Sequence, residues 1–130
     1  KVVDRKLLGA EEVPVAFKTK TWRAERGVNG LWSMISETEN LPGIPSSKIK
    51  IWAMGWPYTA ATETTIANQP SDFKYDNIEV SFENGRQVTV SVKRTEKGYL
   101  LIRSDEDIVY KVGHDAGLRL IDPYEVARTL

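Results

Sequence analysis

Two alternating runs, Ile78-Val80-Phe82 and Val88-Val90-Val92, flank Asn84-Gly85, and no other stretch of the 130 residues restricts the fold so tightly. A period of two is the mark of a strand with one buried face. The loop between two such strands fixes which side chains share that face. A two-residue Asn84-Gly85 turn would pair Glu83 with Arg86 and send the two apolar sets to opposite faces, wasting one of them. A three-residue loop, Glu83-Asn84-Gly85, instead pairs Val80 with Val88 and Ile78 with Val90, with Gly85 in the left-handed conformation of a bulge. The sequence favours this second arrangement.

The meander continues beyond that hairpin. Thr95-Glu96-Lys97-Gly98 predicts a turn, and Tyr99 to Arg103 carries apolar residues on both faces, as a strand near the middle of a sheet does. Ser104-Asp105-Glu106-Asp107 reads as a solvated turn into a strand from Ile108 to Val112. Gly113 to Gly117 reads as a loop, and Leu118 with Leu120 as a last short strand. Asp122-Pro123-Tyr124-Glu125 then starts a helix, with Asp122 as cap and Pro123 at the first helical position. That helix stops at Leu130, and the chain lacks an initial Met. Both features read as a segment of a longer protein, or as an end that docks on a neighbouring element.

The first half is less regular. Val13 to Trp22 alternates, with Val13, Val15 and Phe17 on one face and Ala16, Lys18, Lys20 and Trp22 on the other, predicting a strand. Ala24, Val28, Leu31, Trp32 and Ile35 recur at helical spacing, predicting an amphipathic helix over residues 24 to 39 despite Gly27 and Gly30. Leu41-Pro42-Gly43-Ile44-Pro45 stops it. Ile49, Ile51 and Ala53 alternate with Lys50, Trp52 and Met54, predicting a second strand that runs into Gly55-Trp56-Pro57-Tyr58. Residues 59 to 76 suit either a short helix over Ala60 to Ala67 or an ordered loop ending at Pro70.

Composition removes several classes of function. The chain has no cysteine, which excludes disulfide scaffolds, thiolate metal sites and cysteine nucleophiles. Eighteen basic and eighteen acidic residues cancel, so the basic excess of a dedicated nucleic-acid binder is missing. Residues 1 to 60 nevertheless hold nine basic and six acidic side chains, against nine and twelve in residues 61 to 130. The 41% hydrophobic content supports a buried core in one domain spanning 1-130. Tyr99 to Ile102 is about the longest apolar run, far short of the roughly 20 residues of a membrane span, so no membrane association is expected. The charged Lys1-Val2-Val3-Asp4-Arg5-Lys6 does not fit a secretory leader, and the absence of cysteine leans the expected compartment to the cytoplasm.

Candidate chemistry is sparse. On the predicted strand, Trp52, Met54 and Trp56 share a face with Lys48 and Lys50; on the preceding one, Trp22 shares a face with Lys18 and Lys20. Tryptophans beside charges mark contact surfaces, because they bring large area at small entropy cost. The competing reading puts Trp52 and Trp56 in a second small core, with the lysines at its edge. Interleaving Lys18, Lys20, Arg23, Arg26, Lys48 and Lys50 with Trp22 and Trp52 also resembles, in composition, a platform for single-stranded nucleic acid. His114 beside Asp115 could act as a general base, against the plain reading of a solvated turn. Asp105-Glu106-Asp107 does not fit a calcium loop, which would need Gly where Tyr110 stands, and the glycines match no phosphate-binding loop.

The expected architecture is α+β: an antiparallel, twisted or partly barrel-like sheet of about six strands, one amphipathic helix packed on it, and a short C-terminal helix. The leading functional expectation is a non-catalytic binding or assembly module with a protein partner or self-association. Its surface would use Lys18, Lys20, Trp22, Arg23, Arg26, Lys50, Trp52, Met54, Trp56 and Tyr58. The second is a small-ligand-binding protein or small enzyme with a pocket drawn from Arg23, Arg26, Tyr58, His114 and Asp115. The third is single-stranded nucleic-acid binding. No metal or other cofactor is expected.

Overall fold

A computed structural model describes residues 6–36, 43–66 and 76–129, with the side chains of 127–129 outside the description. The strands are β1 (Pro14–Lys18), β2 (Trp22–Arg26), β3 (Trp32–Ser36), β4 (Glu63–Ile66), β5 (Asp76–Phe82), β6 (Gln87–Thr95), β7 (Gly98–Arg103) and β8 (Ile108–Gly113). Helix α1 (Ser46–Gly55) continues into a 3-10 turn at Trp56–Tyr58, and α2 (His114–Ile121) and α3 (Pro123–Thr129) follow β8. The fold is α+β with one antiparallel sheet of eight strands, in the order β3-β2-β1-β5-β6-β7-β8-β4. Eight strands stand where about six were expected: the segment read as a helix supplies the β2–β3 hairpin and Glu63–Ile66 adds an edge strand, while the strands expected at Ile49–Met54 and Leu118–Leu120 are helical. The sheet is open, with β3 and β4 as its edges, so the partly barrel-like alternative does not hold.

The meander forms as its turn chemistry dictates. Val80 pairs with Val88 and Ile78 with Val90, and the Phe82 N–H donates to Arg86 O at 2.8 Å across the three-residue loop. Gly85 sits at φ +89°, where a Cβ would be strained. Leu101 and Ile102 are both buried, as the two-faced apolar pattern of β7 requires. Asp122 caps α3 by accepting the backbone N–H groups of Tyr124 and Glu125 at 2.9 and 3.3 Å.

Three segments of the first half differ from the expectation. The alternating run from Val13 is broken at Thr19-Lys20-Thr21, where the chain reverses into β2. As far as Ser36, the stripe expected over residues 24 to 39 is the β2–β3 hairpin: the Gly27 N–H donates to Leu31 O at 2.8 Å, and Gly30 takes φ +80°. Glycines that weaken a helix are what this turn needs. Val28 and Leu31, two of the stripe's anchors, point to solvent. Residues 37–42, including Leu41 and Pro42, lie outside the described residues. Conversely, the strand expected at Ile49–Met54 is α1. Ile49, Trp52, Ala53 and Trp56 are buried at i, i+3, i+4 and i+7, whereas Ile51, the alternate apolar residue, is 53% exposed. Residues 63–66 form β4 where a helix or loop was expected, and 67–75 lie outside the described residues. Of the loop and strand expected over 113–120, Gly113 ends β8 and the rest is α2, whose Gly117 lies so close to the Tyr99 ring that a Cβ there would overlap it.

All three helices gather on one face of the sheet. Across that face Met34, Ala24, Phe17, Val80 and Val88 stand opposite one another in register. Against them pack Ile49, Trp52, Ala53 and Trp56 of the α1 segment and Leu120 of α2. At its β2-β1-β5 end the other face is polar, with Lys18, Arg23, Glu25, Glu79 and Gln87 around a shallow depression, whereas Ile102 and Val109 make it apolar at β7 and β8. Ser46 at the start of α1 accepts the backbone N–H of Trp32 at 3.0 Å, so the helix covers one donor of the β3 edge.

Candidate interaction surface

The tryptophans read as a wet face are the core. Trp22, Trp52 and Trp56 are 7%, 3% and 0% exposed. Trp52, Trp56 and Trp32 surround Phe17, with ring centroids 4.5, 4.9 and 6.1 Å from its own, and Trp22 meets Trp52 edge-on at 5.4 Å. Ring pairs at these separations add attraction beyond the apolar area they bury. The Trp52 indole N–H donates to Leu120 O at 3.1 Å, whereas that of Trp56 is buried with no partner among the described residues. Helical geometry sends Trp52 and Trp56 inward and their neighbours Lys50, Ile51 and Met54 outward, so the expected strand face does not exist.

What remains outside is a groove of about 660 Å³ between the β2–β3 hairpin and α1. Val13, Val15 and Trp32 line it between the two walls, with Val28, Arg26 and the glycines of the turn on one side and Lys50 and Met54 on the other. A one-residue register shift between Pro14 and Ala16 breaks the alternation of β1, so Pro14 and Phe17 are buried while Val13 and Val15 stay half-buried. The hairpin wall is ordered by its turn. Gly30 N–H donates to Gly27 O at 2.9 Å, and Asn29 Oδ1 accepts the Leu31 N–H at 3.0 Å, leaving Val28 fully exposed at the tip. Arg26 donates to Glu83 at 3.0 Å, and the Glu83 N–H donates to Val13 O, so the β5–β6 loop closes that end. Lys50 has no ion pair among the described residues. Ile51 and Tyr58 extend the exposed helix surface beside Met54.

The other named residues do not join this groove. Lys18 and Arg23 stand opposite each other on the polar face with Glu25 and Glu79 nearby. Lys20 and Trp22 line a separate cleft of about 280 Å³ with Thr19, Asp76 and Ile121. Lys48 is half-buried on α1. His114 opens α2 rather than a loop, 3.3 Å from the Arg94 guanidinium, and Asp115 beside it is fully exposed. Arg23 and Arg26 are on β2 while His114 follows β8, five strands away, and no described pocket combines them. The rings proposed to stack nucleobases are inside the core and unavailable for stacking. Among the described residues no group of three or more His, Asp or Glu could hold a metal, and no helix is long and apolar enough to cross a membrane.

Sequence reading missed the most organised polar cluster, at Arg103. This side chain is 5% exposed, and all its N–H groups are engaged. Nε donates to Asp105 at 2.9 Å, Nη1 to Leu7 O at 2.9 Å and to Glu12 at 2.6 Å, and Nη2 to Glu12 at 2.7 Å and Asp105 at 2.8 Å. The Asp105-Glu106-Asp107 turn is therefore not simply solvated: Asp105 grips the arginine and Glu106 accepts the Tyr110 hydroxyl at 2.6 Å. Hydrogen bonds from Arg103 hold the Glu12 and Asp105 carboxyls below their usual range, and burial opposes this in part. The paired carboxylates in turn raise the arginine further above its already high value. With every donor spent, Arg103 acts as a clamp that fixes the segment carrying Leu7, Leu8 and Glu12 to β7. Comparison of the chain with protein-family models, curated proteins and solved structures found no match.

Proposed function

We propose that this protein is a non-catalytic binding module whose partner is a protein, docked on the hairpin–helix groove. The observation that carries the reading is the juxtaposition of exposed apolar residues on both walls, Val28 from the hairpin and Met54 from α1, above half-buried valines. A lone exposed apolar residue needs no explanation, but several around one concavity supply the apolar centre of a contact. Arg26, Glu83 and Lys50 at its margin supply the polar rim. This keeps the binding-module expectation while moving its site: Arg26, Lys50, Met54 and the adjoining Tyr58 remain, and the tryptophans leave it.

A photocrosslinking residue placed at Val28 tests the reading in an extract of the source cells. A discrete protein adduct, with a second copy or another chain, is expected at Val28 and not at Lys97 on the exposed β6–β7 turn. Equal labelling from both positions, or none from Val28, contradicts it.

A further inference from the structure

We infer that the segment received by this groove is apolar and carries carboxylates, an acidic amphipathic stretch of a partner protein; the inference rests on the docking reading above. Each wall presents a cation: Arg26 on the hairpin and Lys50 on the helix. Arg26 donates to Glu83 through one nitrogen, Nη2, and a guanidinium has five donors, so it can serve a second carboxylate while keeping the first. Among the described residues Lys50 has no ion pair to surrender.

Among the described residues the surroundings offer little competition. Residues 43 to 62, which contain all of α1 and the 3-10 turn, include two lysines and no acidic side chain. Among the described residues Glu83 is the one carboxylate lining the groove, against Arg26 and Lys50. A basic segment would meet the like charge of Lys50 on the helix wall, whereas an acidic one would be both steered and held there. Charge alone is not enough, because Val13, Val15, Val28 and Met54 would stay wet beneath a purely polar chain. The ligand chemistry is therefore aliphatic or aromatic side chains placed between carboxylates.

Selection from a display library of short random peptides against the full chain, with counter-selection against the folded Val28→Asp/Met54→Gln variant, tests this. Circular dichroism establishes that each variant folds before it is used. The surviving peptides are expected to combine Leu, Ile, Val or Phe with Asp or Glu. Their affinity should fall roughly fivefold with Lys50→Glu and weaken as salt is raised. Survivors without carboxylates, or acidic survivors indifferent to both Lys50→Glu and salt, would overturn the charge inference and leave the docking reading standing. Equal binding of polyglutamate would overturn the apolar requirement. No peptide that distinguishes the chain from the double variant would overturn the inference together with the docking reading.

Discussion

Two regions of this molecule treat charge in opposite ways. Where the N-terminal segment meets β7, Arg103 is buried, every donor is satisfied, and its partners Glu12 and Asp105 are held by two bonds each. Around the hairpin–helix groove, and among the described residues, Lys50 is exposed and without an ion pair, and Arg26 makes a single half-exposed one. The apolar residues divide the same way: Leu7 and Leu8 beside the clamp are at most 2% exposed, while Val28 and Met54 face water. A buried charge must be fully paired because desolvation is otherwise uncompensated, whereas an exposed charge can wait for a partner. The first region thus holds the fold and the second is available for contact.

The largest effect that could break this contrast is loss of the clamp. Arg103→Ala leaves Glu12 and Asp105 facing each other without their cation and should cost about 3–5 kcal/mol in denaturant unfolding. A cost below about 1 kcal/mol would make the cluster ordinary surface. Next come the two central indoles, which share a core but differ in bonding. Trp52→Phe strands the Leu120 carbonyl, so it should be more destabilising than Trp56→Phe by about 1–3 kcal/mol. Calorimetry of the two variants under one condition checks the order.

Acid sharpens the same comparison. Glu12 and Asp105 have folded pKa values below their unfolded ones, so the unfolded state takes up protons first as pH falls. Their stabilisation is fully present above the ordinary carboxylate range and is lost as pH drops through about 4 and towards the depressed folded values. Urea midpoints from pH 7 down to pH 3 should fall, and Arg103→Ala should flatten that fall. The smallest effect belongs to the groove: Val28→Asp should change stability by no more than about 0.5 kcal/mol, because this side chain touches water and not core.

The meander was legible because Asn84-Gly85 and the strict alternation on either side agree on one register, and local chemistry decides such a hairpin. The segment from Ala24 to Met54 was not, because five or six apolar residues can satisfy both a period of two and a period near four. Gly27 and Gly30 carried the missing information as turn formers, and Trp56, three turns of helix beyond Ser46, showed the helical stripe only when counted with Ile49, Trp52 and Ala53. Of the groove, Arg26, Lys50 and Met54 could be named from sequence. Val13, Val28 and Glu83 join them only through the pairing of β1 with β5 and the position of the hairpin. Glu12 and Arg103 are 91 residues apart, a distance over which spacing carries no signal.

The division between tryptophans that hold the core and an exposed groove left for contact is tested most directly by acrylamide quenching of the native protein's tryptophan emission. A blue-shifted emission that is quenched several-fold less than in the urea-unfolded chain is the expected result. Native quenching equal to that of the unfolded chain would return the indoles to the surface and contradict the account.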